Sequence, residues 1–185
     1  ILAIGHLVGL ISGEQWREEA VAAAETAVAL DGQDSDVLGY VGCALADMGD
    51  LHRGIGMLRR AVELDPSNAQ AVAALGAALL HAGEEEGVEF MRQGLRLSPR
   101  DNRASAWGAL LARGLLNLGR IEEAIDAVTR RWKGLGKKKM FGGICYLLEG
   151  NMCFGIHKEF LIVRMGKEKA EEKLQAGIAR PFDIT

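Results

Sequence analysis

The sequence is poor in aromatic residues, which make up 5% of its 185 positions. That scarcity argues against a nucleic-acid surface built on stacked bases. Three cysteines, Cys43, Cys145 and Cys153, are too few for a disulfide framework and point to a reducing compartment, the cytoplasm. No apolar stretch is long enough to cross a bilayer. The opening Ile1–Ile11 is too short and carries no basic leader. With no initiator Met, the chain is expected to begin inside a larger protein. The spacings CxxC, HExxH, GxGxxG and GxxxxGK[ST] are all missing. No catalytic residue, metal ligand or cofactor site is therefore expected, and the chain reads as non-catalytic.

Lysine is missing from the first 132 residues, and all eight lysines follow. Residues 1–129 carry 10 arginines against 19 acids, whereas 130–139 carry six basic residues and no acid. Such a break in composition marks a boundary. Hydrophobic residues make up 49% and charged residues 25%, a globular balance.

The first 130 residues repeat at a spacing of 34. With Gly49 set on Gly83, Val41-Gly42 falls on Leu75-Gly76 and Leu45 on Leu79. Gly54, Leu58, Ala61, Leu64 and Pro66 then fall on Gly87, Met91, Gly94, Leu97 and Pro99. One step back lie Ala20, Ala24, Ala27 and Leu30. One step forward lie Leu111, Leu115, Gly119, Ala124 and Val128. Within 36–48 the apolar residues Val37, Leu38, Val41, Leu45 and Met48 keep helical period, and Gly49 supplies a C-terminal stop. A second helix over 51–64 ends at Asp65-Pro66. Paired helices repeated in this way form a solenoid.

Val41-Gly42, Leu45, Gly54, Leu58, Ala61 and Pro66 stand at the signature spacing of tetratricopeptide repeats, and residues 1–131 resemble that family as one partial and three fuller units. The resemblance implies that the first helix of each unit lines a concave wall. The facing positions would be Asp36, Gly39, Cys43, Ala46 and Asp47, then Gln70, Ala73, Ala77, Leu80 and His81, then Ala109, Arg113, Leu116 and Asn117. Of these, Gly39, Cys43, Asp47, Ala73, Ala77, His81, Arg113, Leu116 and Asn117 are the candidate groove for a peptide or helix partner. The repeat variety that grips a terminal carboxylate with lysine is excluded, because this segment has no lysine.

From Met140 the pattern changes to short apolar runs, 140–148, 152–156 and 160–163, separated by turn signals such as Glu149-Gly150-Asn151. A helix over 167–178 follows, closed by Pro181. The segments Lys138-Lys139-Met140-Phe141-Gly142-Gly143-Ile144, Gly150-Asn151-Met152, Arg164-Met165-Gly166 and Ala179-Arg180-Pro181-Phe182-Asp183-Ile184-Thr185 resemble the TfoX N-terminal domain family. That likeness implies a small α+β domain linked to bacterial competence regulation, here cut short before its next strand.

The expected architecture is mainly α. Helical repeats occupy 1–131, a basic linker 132–139, and an incomplete α+β piece 140–185. Cys145 and Cys153 read as structural thiols that do not face each other. The expected function is a protein-interaction scaffold. The alternative is a transcriptional co-regulator that touches nucleic acid through Lys137, Lys138 and Lys139. An open sheet edge and the apolar opening favour self-association.

Overall fold

The computed structural model describes residues 16–140, 142–158 and 160–182. The features read into Ile1–Ile11 and Asp183-Ile184-Thr185 lie outside these residues. The chain divides into two compact units, Ile1–Val128 and Thr129–Thr185.

Seven described helices build the first unit: α1 (Trp16–Leu30), α2 (Ser35–Asp47), α3 (Leu51–Leu64), α4 (Ala69–His81), α5 (Gly87–Leu97), α6 (Ala104–Asn117) and α7 (Ile121–Thr129). The bounds follow local chemistry. Asp34 Oδ1 accepts from the backbone N–H of Asp36 at 2.7 Å and Val37 at 3.0 Å, capping α2. Asn68 caps α4 by accepting from the Ala71 N–H at 3.1 Å, while its amide donates to Ser35 Oγ and to Asp36 Oδ1 of the preceding unit. One residue thus starts its own helix and ties it to the last. Helices α2, α4 and α6 all end in the same turn. Gly49, Gly83 and Gly119 have φ of +93°, +84° and +73°. The N–H of the next residue reaches back five positions in each case: Asp50 to Leu45, Glu84 to Leu79, Arg120 to Leu115.

Within a repeat, the two helices touch backbone to backbone. A Cβ added at Gly42 would lie 2.9 Å from the Gly54 carbonyl oxygen, and one at Gly54 2.7 Å from the Gly42 oxygen. The next repeat copies the contact. A Cβ at Gly76 would lie 2.5 Å from the Met91 nitrogen, and one at Gly87 2.5 Å from the Gly76 oxygen. Leu58 and Met91, one turn beyond the second glycine, are fully buried. The third repeat has Ala112 and Ala124 at the equivalent positions, both buried. Val128, the counterpart of Leu58 and Met91, is 47% exposed. The sequence match at Val128 therefore does not carry a core contact, because that helix pair lacks the glycine approach that seats its forerunners.

Along the second helices of the repeats runs a ladder of ion pairs. Arg59 holds Glu86, Arg92 holds Glu123, and Arg120 bonds Glu85 and Glu123, the last at 2.7 Å. Hydrogen bonds from Arg120 and Arg92 keep the Glu123 carboxyl down at about 2.

The second unit is a four-stranded antiparallel sheet in the order β1 (Leu135–Met140), β2 (Gly143–Leu148), β3 (Asn151–His157), β4 (Phe160–Val163), followed by α8 (Lys167–Gln175). Strand β1 corrects the sequence reading of 132–139 as a linker. Its lysines look like a solvated charge run, but their backbone pairs with β2 from Leu135↔Leu148 to Met140↔Gly143. Lysines suit an edge strand, which they protect from further pairing. Helix α8 is also shorter than the expected 167–178. Gly177, at φ +68°, turns the chain before Pro181, and the Ile178 N–H bonds back to Lys173 O.

Glu149 and Gly150, both at positive φ, form the β2–β3 turn. The register then shifts between Tyr146↔Phe154 and Leu147↔Met152, leaving Cys153 as the extra residue of a bulge. Cys145 pairs with Gly155, so the two cysteines do not face each other. Tyr146 is 1% exposed and stacks on Phe154 at 4.6 Å, with Trp132 edge-on to Phe154 at 6.1 Å.

Three outcomes test these contacts. Gly76→Ala forces a methyl into backbone and is expected to cost about 3 kcal/mol in urea unfolding. Gly56→Ala, where a Cβ meets nothing within 4 Å, should instead raise stability by about 0.5–1 kcal/mol. The depressed Glu123 contributes stability that is complete above its usual value near 4.5 and is lost as pH falls toward about 2. The wild type should therefore melt above Glu123→Gln at pH 6, and scanning calorimetry should find the gap closing toward pH 2.

Candidate functional site

Helices α2, α4 and α6 are neighbours in the stack, so their outward stripes share one face. The candidate positions divide there into two groups. Asp47, His81, Arg113, Leu116 and Asn117 are exposed, and Cys43 and Ala77 are partly so. Gly39 and Ala73 are buried and offer no surface. A Cβ at Gly39 would lie 3.3 Å from the Ala71 methyl, and one at Gly94 of α5 2.8 Å from the Ala73 methyl. Both positions lie between helices, as do Ala46 and Leu80 at 5% and 6% exposure. The exposed stripe of α2 follows Asp36, Tyr40, Cys43 and Asp47, a run of i, i+4, i+7, i+11. Gly39 and Ala46 sit one step round the helix, toward α4.

Two polar clusters sit on this face. The first joins Arg103 to Asp101, whose carboxyl it bonds at 2.9 Å and holds at about 2. Arg103 also bonds Gln70 and Tyr40 and lies 5.3 Å above the Trp107 ring. Tyr40 and Arg103 were not candidates from sequence. The i+4 step from Asp36 is the signal that places Tyr40 on the face. The second cluster joins Cys43 and Asp47 on α2, His81 on α4, and Arg113 and Asn117 on α6. Burial, with the Asp47 charge behind it, pushes the Cys43 thiol up to about 11. Its Sγ lies 3.9 Å from Asp47 Oδ2. Burial raises the Asp47 carboxyl as well, against the pull of that hydrogen bond and of the charges on His81 and Arg113.

Between α4 and α6 the second cluster borders a cleft of about 240 Å³. Ala77, Leu80, Leu110 and Gly114 line its apolar part, and His81, Arg113 and Asn117 the polar part. Four of the nine candidate groove residues therefore converge: Ala77, His81, Arg113 and Asn117. Leu110 is an addition that sequence did not single out.

In the second unit the pleat of β1 separates the candidate lysines. Lys137 and Lys139 share one face, and Lys138 points to the other. Lys137 Nζ lies 5.6 Å above the Tyr146 ring. Among the described residues no group of three His, Cys, Asp or Glu side chains could hold a metal ion. No described helix is long and apolar enough to cross a membrane.

Comparison with known proteins divides along the same line. No curated protein sequence matches the chain. Three solved structures of MamA share its fold. One (MSR-1, C2) has a TM-score of 0.51 at 17% identity, covering 70% of each chain. Two others have TM-scores of 0.52 at 19% identity, covering 68% of this chain and 69% and 64% of theirs. The chain spans between 62% and 70% of the MamA chains it matches. Residues 127–185 match the TfoX N-terminal domain, from eleven residues before the first of the resembling segments at Lys138 and with the whole of β1 inside the match. The chain thus joins a TPR-type α-solenoid, of the fold shared with MamA, to a segment similar to the TfoX N-terminal domain.

Proposed function

We propose that this protein is a non-catalytic interaction scaffold of the tetratricopeptide kind, whose first-helix face binds an extended peptide or a helix of a protein partner in a reducing compartment. The observation that carries this reading is the cleft between α4 and α6, where hydrogen-bonding and charged groups border an apolar floor. A peptide bound there places a side chain on the floor and its backbone against Asn117 and His81, the usual division between apolar affinity and polar orientation. The solenoid fold supports the same reading, since stacked repeats present long continuous surfaces.

A second reading is favoured by the TfoX N-terminal match over 127–185. In it the sheet unit acts in transcriptional or competence regulation, and the helical array recruits partners. Lys137, Lys138 and Lys139 would supply its phosphate contacts.

Peptide display against the intact chain tests the first reading. Selected peptides are expected to bind His81→Ala/Asn117→Ala at least about tenfold more weakly, as the loss of two hydrogen bonds implies. Arg60→Ala, outside the cleft, should leave binding unchanged. Equal binding by both variants removes the groove assignment. Salt-dependent duplex DNA binding that disappears in Lys137→Gln/Lys138→Gln/Lys139→Gln is the outcome expected of the second reading; anisotropy that is flat with salt excludes it.

A further inference from the structure

Seven of the ten arginines of the helical unit are paired with acids. Arg53, Arg59, Arg60, Arg92, Arg96, Arg103 and Arg120 each hold a carboxylate. Of the other three, Arg17, Arg100 and Arg113, the last is the one at the cleft between α4 and α6. It is exposed, it lines the cleft, and among the described residues it makes no hydrogen bond or ion pair. Asp47 on α2 feels the charges of His81 and Arg113, but its hydrogen bond comes from Cys43.

We propose that Arg113 is the specificity determinant of the groove, and that the peptide it selects carries a carboxylate side chain next to an aliphatic or aromatic one. The inference rests on the scaffold reading and names the ligand of that same site. The apolar residue enters the cleft over Ala77, Leu80, Leu110 and Gly114, whose 240 Å³ accommodates a side chain of leucine size. The acid pairs with the guanidinium, whose planar fork matches a carboxylate. Asp47 fixes the direction. Its negative charge on α2 repels an acid on that side of the groove, so the carboxylate lies over α6.

Four pools of fluorescein-labelled octapeptides serve as probes, with a fixed central pair Leu-Asp, Leu-Asn, Leu-Lys or Ala-Asp and the other positions randomised. Anisotropy titrations use the intact chain. The Leu-Asp pool is expected to bind at least about tenfold tighter than Leu-Lys and several-fold tighter than Ala-Asp, with the preference falling as salt rises. Arg113→Glu should reverse the order to favour Leu-Lys. Arg113→Gln should level the two, which keeps the test valid if the charge reversal unfolds the chain. Groove-dependent binding with no preference for Asp over Lys overturns this inference and leaves the scaffold reading standing. If no pool binds and display yields no peptide sensitive to His81→Ala/Asn117→Ala, both fall.

Discussion

The helical unit depends on the close crossing of backbone at Gly42–Gly54 and again at Gly76–Gly87. Where no Cβ intervenes, two helices approach so closely that a Cβ at either glycine would lie 2.5–2.9 Å from a backbone oxygen or nitrogen of the other helix. That approach places Leu58 and Met91 at full burial and sets the spacing at which the next repeat must pack. Larger residues at the crossing would separate the pair, and each later repeat would inherit the error. The third pair shows the consequence of relaxing the rule. With alanines at the crossing, Val128 is left half exposed.

From this spacing follows the face that carries the candidate site. The first helices are adjacent because their partners lie behind them, joined by Arg59 and Arg92 to acids of the following unit and by Arg120 to Glu85 of the preceding one. The charges on the outer side neutralise one another. On the inner side they are fewer and less paired, and Arg113 faces a cleft instead of a carboxylate. Packing and electrostatics thus separate a surface that holds the stack together from one available for recognition.

The sheet unit is governed by another constraint. Its backbone pairing runs from Leu135, so a segment that composition marks as a charged linker becomes an edge strand. Tyr146, stacked on Phe154, forms the apolar centre of one face, and Cys153 is displaced into a bulge that realigns β3 with β2. The lysines at 137–139 are consecutive in sequence, but the pleat divides them between opposite faces. A charge run is therefore a poor guide to a charged patch once it lies in a strand.

Much of the helical unit was legible in the amino-acid order, because its determinants are local and repeat. Glycines 34 residues apart set the C-terminal turns, Asp65-Pro66 ended α3, and apolar spacing assigned the helix faces. Other features depended on which surfaces meet. Gly39 and Ala73 occupy plausible groove positions, but contacts from α4 and α5 bury them, and helical spacing alone does not distinguish those neighbours from solvent. Tyr40 and Leu110 reached the face by a rotation of one position. The pairing that turned 135–140 into a strand, and the placing of Arg113 at a cleft without a carboxylate partner, arise from contacts between distant residues. Local order determines where helices start, stop and show their apolar side; only the packed structure decides which polar groups find partners and which remain open to a ligand.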